Sequence, residues 1–275
     1  MHVQICADGV CVMCCWGYRG VHARVKIEQY RYILQSEGLD VAVVLSPASR
    51  PHRRGSEVDV VTTIRAASST MGAGEVVWEC TNTFLFFHKT GAALDCCGST
   101  HEEACSRCQS ARNEAFTACS GEHLTETARQ TLVLEETLGR VYARLCSDFN
   151  PIHIYGWAAR MLGFRRVIAR GMCVLGRALR AMDLAVAGRG QNDGQGLGNQ
   201  REGGRVSLEV RFKKPLLLPG EAEVRLYRVD RDGATGGTAD DELRFWIGPL
   251  DGRGGAFQEG RYVVGAAHHG DPQTS

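Results

Sequence analysis

The sequence predicts an α+β fold, in which β-strands dominate and one long helix stands out. Two observations carry that expectation. Stretches rich in Val, Ile, Thr, Phe and Trp, bounded by Gly, Pro and Asp, recur in both halves of the chain. Against them stands one extended helical pattern opened by Gly171. Its positions Met172, Leu175, Leu179 and Met182 fall near helical spacing, and Val174 and Ala178 widen the stripe. The expected helix spans about Gly171–Ala187.

Taken in order, residues 1–20 show no clear period. ARVKIEQYRYI then reads as a strand and turn, LDVAVVLS as a second strand, SEVDVVTTIRAA as a third and EVVWECTNTFLFF as a fourth. SPASRPHRRGS, between the second and third, is a turn by its Pro and Gly content. His88–Glu122 reads as a polar linker containing Cys96, Cys97, Cys105, Cys108 and Cys119. ETARQTLVL follows as a strand and EETLGRVYARL as a helix. Gly188–Gly204 is a Gly/Asn/Gln tract expected to be a disordered insertion. RVSLEVRFKKPLLLPGEAEVRLYRVD holds two strands joined at Leu218-Pro219-Gly220. DELRFWIGPL and FQEGRYVVGAA supply the last strands, and HHGDPQTS a frayed end.

Bulk properties narrow the function classes. A chain of 275 residues, 44% hydrophobic, can bury a sizeable core. A formal charge of +1 gives no electrostatic case for nucleic acid or a membrane surface, and no apolar run reaches the length of a span. The twelve cysteines are clustered rather than spaced as a secreted disulfide framework. Acidic Asp8 and the lack of a basic start argue against a secretory signal. The expected setting is intracellular, cytoplasmic or mitochondrial.

The chemistry centres on YARLCSDFNPIHIYGWAA (Tyr142–Ala159). It places an acid, Asp148, and an imidazole, His153, five residues apart around Asn150-Pro151. The proline fixes its own backbone and pushes Asn150 away from helical geometry, so the segment should be a rigid loop. A rigid loop holds two proton-transfer groups at constant separation, as general acid–base chemistry requires. The helix start at Gly171 offers bare backbone N–H groups and a positive dipole end suited to a developing oxyanion. The same glycine could instead serve close packing of helix on strand.

Through Tyr142, Leu145, Asp148, Asn150, Pro151, Ile152, His153 and Ala159, then Ile168–Met172, the chain resembles the MaoC-like, or hydratase 2, group of the hot-dog superfamily. LEVRFKKPLLLPGE (Leu208–Glu221) echoes a family strand pair. PHRRG (Pro51–Gly55) and VVWECTNTFL (Val76–Leu85) resemble, more weakly, the first half of two-hot-dog members. The resemblance implies a curved antiparallel sheet around the central helix over residues 126–265. Residues 21–88 would form an N-terminal, truncated hot-dog-like half in a pseudo-dimeric arrangement, 89–125 a Cys-rich linker and 266–275 a tail. The truncation is expected because only about twenty residues precede Val21, where relatives carry the first central helix.

The resemblance also implies a hydro-lyase. Asp148 and His153 would jointly hold a water against a trans-2-enoyl thioester, Gly171 would supply the oxyanion N–H, and no cofactor or metal would be needed. Asn150, Arg170 and Met172 fall on the substrate side, Asn150 chiefly by bracing the loop. The substrate would be an acyl-CoA or acyl-carrier thioester, and a homo-oligomer is compatible. Two departures stand out. Ser147 replaces a glycine that usually precedes the aspartate. Arg170 replaces a common histidine, and would either reach a phosphate of the substrate or point to solvent. Tyr142 and Trp157 are expected in the core or pocket wall, and Cys146 and Cys173 as small apolar fillers. Two other readings remain open at this level: a hot-dog acyl-thioester binder or thioesterase, and a Cys-dependent interaction protein with zinc among Cys96, Cys97, Cys105 and Cys108 or Cys11, Cys14 and Cys15.

Overall fold

Alternation of apolar and charged residues writes two unlike faces into each strand, and strand pairing keeps those faces in phase. The computed structural model describes residues 19–47, 49–52, 55–67, 74–87, 123–187, 205–230, 241–253 and 255–265. The N-terminal strands are β1 (Arg19–Gln29), β2 (Leu39–Leu45), β3 (Arg50–His52), β4 (Gly55–Ala66) and β5 (Val76–Phe87). After β6 (His123–Leu134) come helix α1 (Leu138–Cys146), a 3-10 turn (Pro151–His153), a short helix α2 (Gly156–Met161) and the central helix α3 (Gly171–Ala187). Strands β7 (Arg205–Phe212), β8 (Gly220–Asp230), β9 (Asp241–Gly248) and β10 (Gln258–Gly265) complete the chain's described elements.

All ten described strands form one antiparallel sheet in the order β2-β4-β5-β1-β7-β10-β9-β8-β6, with β3 on β4. The two halves meet where β1 pairs with β7, Arg24 opposite Arg211 through Gln29 opposite Val206. A single transverse row runs across the junction: Ala128, Leu226, Phe245, Gly260, Val210, Val25, Asn82, Val60 and Leu45. Directly opposed residues share a face, so this row marks the apolar side over the whole sheet. Gly260 is small because a Cβ there would lie 2.5 Å from the Phe245 ring.

α3 lies on that face over β6, touching β8. Its buried seam is Val174, Leu175, Ala178 and Met182, packed with Leu132, Val224, Leu226, Val210 and Phe245. Met172 and Leu179 of the expected stripe sit at its half-buried flanks. Full burial of each large member contributes about 1.5–3 kcal/mol. The opposite face carries charge pairs such as Arg129–Glu223, Arg261–Glu209, Arg205–Glu28, Arg24–Glu57 and Arg50–Asp59. Each exposed pair contributes no more than about 1 kcal/mol.

The strands follow the expected segments closely, and two local expectations are corrected. Arg50–His52, read as turn, hydrogen-bonds to β4 as a strand, because β4 is long enough to pair with both β2 and β3. α2 went unforeseen: six residues are too few to show a period. Among the described residues the N-terminal half has no helix, and no described helix is long and apolar enough to cross a membrane. The Cys-rich linker as far as residue 122, the Gly/Asn/Gln tract, the two chain ends and the proposed zinc cysteines lie outside the described residues, and residues 123–125 of the expected linker belong to β6.

Candidate active site

α1 ends at Ser147, whose φ of 57° and ψ of 18° place a serine in the left-handed region. That conformation turns the chain sharply into Asp148 and explains the glycine preference noted for this position. Asn150 follows at φ −55° and ψ 120°, the extended geometry that a following proline enforces. Its Oδ1 accepts from the Ile152 N–H at 3.3 Å and caps the 3-10 turn that ends in His153. Through this hydrogen bond Asn150 braces the loop.

The Asp148 carboxylate is held on both oxygens. Oδ1 accepts from the Asn150 N–H at 3.0 Å, and Oδ2 from Arg170 Nε at 2.8 Å. Arg170 Nη1 donates to the Gly139 carbonyl at 3.1 Å, and Nη2 to the Asp148 carbonyl. The Arg170 side chain is 6% exposed and stands 5.9 Å from the Tyr142 ring centroid. The phosphate or solvent role expected of Arg170 is therefore corrected: its donors turn inwards, onto the acid that the sequence singled out. Burial alone would raise the Asp148 pKa. The Arg170 and Asn150 hydrogen bonds and the Arg170 charge outweigh it and hold the group below its ordinary value.

His153 is fixed by its other nitrogen. Nδ1 lies 2.8 Å from the Ile168 carbonyl, an acceptor only, so Nδ1 carries the hydrogen and Nε2 keeps its lone pair. Ile168 is itself anchored: Val167–Ala169 is stitched to Leu216–Leu218 by Ala169 N–H to Leu216 O (2.7 Å) and Leu218 N–H to Val167 O (2.8 Å). Burial lowers the His153 pKa to about 4. The Ile168 hydrogen bond and the Asp148 charge oppose that shift, and Arg170 adds to it.

Gly171 opens α3 between Arg170 and the half-buried Met172, which packs on the core. A Cβ at Gly171 would come within 2.6 Å of the Phe212 ring, so close packing alone requires the glycine. Its N–H belongs to the first helical turn, which has no partner within the helix. Gln258, 3% exposed, donates Nε2 to the Gly171 carbonyl at 2.9 Å and fixes the helix start. Trp157 is 52% exposed and stacks on Tyr155, so of its two expected places, core or pocket wall, it is not in the core; Tyr142 is half-buried. Cys173 is a buried filler, whereas Cys146 is exposed.

Three contributors escaped the sequence argument: Gly139, Phe212 and Gln258. Gly139 had a signal, a lone glycine inside a helix. A Cβ there would lie 1.8 Å from the His153 carbonyl oxygen, so α1 and the His153 turn touch only because residue 139 is bare. Nothing in the sequence marked Phe212 or Gln258, which are neighbours across β7 and β10.

Fold and geometry together define a class: a hot-dog sheet around a central helix, with an aspartate and a histidine on the loop beside the helix start. Residues 116–242 match the family model described as a MaoC like domain. The chain is 28% identical over 221 residues to 3-hydroxyacyl-thioester dehydratase X of Mycobacterium tuberculosis, covering 78% of this chain. The chain spans 60% of that curated relative's length. The crystal structure of HtdX from Mycobacterium tuberculosis matches with a TM-score of 0.54 at 26% identity, over 90% of this chain and 76% of that one. Full-length peroxisomal multifunctional enzyme type 2 of Drosophila melanogaster shares the fold, with a TM-score of 0.56 at 18% identity over 96% of this chain and 38% of its own.

Proposed function

We propose that the chain hydrates trans-2-enoyl thioesters and, in reverse, dehydrates (R)-3-hydroxyacyl thioesters in fatty-acid metabolism. The observation that carries this is His153, whose Nε2 lone pair is free while Nδ1 is tied to Ile168, on the same loop as an ionised Asp148. A base with a pKa of about 4 is neutral at pH 7 and holds a captured proton weakly. That suits a group which takes a proton from water and passes it on.

In hydration the water oxygen bonds to C3 as His153 Nε2 removes one of its protons, and Asp148 steadies both the water and the imidazolium. Electron density moves through C2 to the thioester oxygen, where the Gly171 N–H meets the developing charge. His153 then returns the proton to C2, so the elements of one water are added across the double bond. Dehydration runs the same steps backwards. Asn150 holds the loop, and Met172 supplies apolar surface beside Gly171. The dehydratase named among the relatives supports this reading, as does the family match.

A crotonyl-CoA hydration assay followed at the thioester chromophore tests it. The whole chain should turn the substrate over, and Asp148→Asn or His153→Ala should each cut kcat by about two orders of magnitude. Binding of the thioester should survive. Near-normal turnover in either variant, or none in the unaltered protein, refutes the assignment.

A further inference from the structure

Gln258 is an amide where the pattern of the sheet calls for an apolar side chain. Phe212, Gln258, Ile247 and Val224 are directly opposed across β7, β10, β9 and β8, so they form one row on the apolar face. Ile247 and Val224 are buried, and Gln258 with them at 3% exposure. Its Nε2 donates to the Gly171 carbonyl at 2.9 Å. Its Oε1 is buried with no hydrogen-bond partner among the described residues. An unpaired buried acceptor costs stability, and a methionine would fill the same row without that cost. Nor does α3 need the bond, because by helix geometry the Gly171 carbonyl accepts from the N–H four residues on. A buried polar group kept against both local pattern and stability points to a role in the chemistry.

The place it holds is the start of α3. Glycine has the widest backbone freedom of any residue, and the N–H groups of a first helical turn have no partner within the helix. An oxyanion donor works only when it is held in place beforehand. Gly171 is held at two points by neighbours in one row of the sheet. Gln258 takes its carbonyl, and the Phe212 ring packs so close that a Cβ there would lie 2.6 Å away. Phe212 in turn meets the His22 ring of β1, with centroids 4.6 Å apart.

We infer that Gln258 is a positioning residue, which aims the Gly171 N–H at the thioester oxygen by fixing the Gly171 carbonyl. The inference rests on the oxyanion role proposed for Gly171. Gln258 acts through that glycine, so its loss should weaken the stabilisation of developing charge and leave binding of the thioester intact.

Two measurements on the full chain test this. In crotonyl-CoA hydration, Gln258→Met should lower kcat by about tenfold to a hundredfold, with KM kept and Tm unchanged or higher. In the His153→Ala background, bound 2,4-hexadienoyl-CoA should absorb further to the red than the free thioester, because the Gly171 N–H polarises its carbonyl. Adding Gln258→Met should shrink that red shift while binding is kept. Unchanged kcat, a loss seated in KM, or a full red shift in the double variant overturns the inference. A fall in Tm with the red shift retained makes Gln258 a structural residue only. Should Gln258→Met fail to fold, Gln258→Asn, whose amide falls one methylene short of Gly171, supplies the same comparison. Should the unaltered chain hydrate no thioester, the hydro-lyase reading fails by itself and the dienoyl spectrum decides the positioning. A red shift reduced by Gln258→Met supports it, and the absence of binding or of any red shift overturns it.

Discussion

At the scale of single residues, the site holds an Arg170–Asp148 ion pair beside His153, where the motif displays only the aspartate and the histidine. Arg170 lowers the pKa of both Asp148 and His153, so its removal should move the acid limb of kcat/KM upwards. In the unaltered chain that limb should lie near pH 4, not near the 6.5 of a free imidazole. Arg170→Gln should shift it up and lower stability by about 3 kcal/mol, since it leaves a partly buried carboxylate without its partner. A pH–rate profile identical in the two proteins would remove Arg170 from the proton chemistry.

Stability follows the same groups. His22, whose ring lies between Phe84 (5.0 Å) and Phe212 (4.6 Å), is also lowered to about 4, chiefly by burial. Between pH 6.5 and 4 the unfolded chain binds protons at His22 and His153 that the folded chain refuses. Their stabilising effect is therefore complete above pH 6.5 and fades as pH falls towards 4; Asp148 acts with the same sign at lower pH still. Thermal melts from pH 7 to 4 should show Tm falling, and His22→Phe should flatten the slope. The motif made Asp148 and His153 legible. Arg170's partner was not, because a residue twenty-two positions away becomes a neighbour only once α3 is folded against the loop.

At the scale of elements, the loop is set by the end of α1. Ser147 holds a left-handed conformation that costs a residue with a side chain about 1–2 kcal/mol. Ser147→Gly relieves that strain but frees the unfolded chain, so the net gain in stability should be no more than about 1 kcal/mol, read as a modest rise in Tm. Gly139→Ala runs the other way. The new methyl meets the His153 carbonyl, so the turn must shift, and turnover should fall with much of the fold kept. The long elements were readable because β-strand alternation and the α3 stripe span many residues. The short ones, β3 and α2, were not, since each is fixed by what it packs against. Arg50, for example, is tied to Asp59 of β4 by two hydrogen bonds, at 2.5 and 2.8 Å.

At the scale of the whole molecule, the N-terminal strands are built into the same sheet as the C-terminal ones. β1 pairs on one side with β5 and on the other with β7, and Val25 is fully buried between Asn82 and Val210. Val25 and Cys80 belong to the same core as α3, and Ile27 and Trp78 pack against it. On the far strands the apolar face is poorly covered, with Val41 41% and Leu45 57% exposed. Separating the halves would bare the β7-side edge of β1 and the apolar row beneath it, at about 25 cal/mol for each Å² returned to water. An unpaired edge beside such a face seeks other chains. Residues 1–125 expressed alone should therefore give no cooperative melt by circular dichroism and should aggregate by light scattering, whereas the full chain should unfold in one transition. A soluble fragment that melts cooperatively would show that the half folds independently.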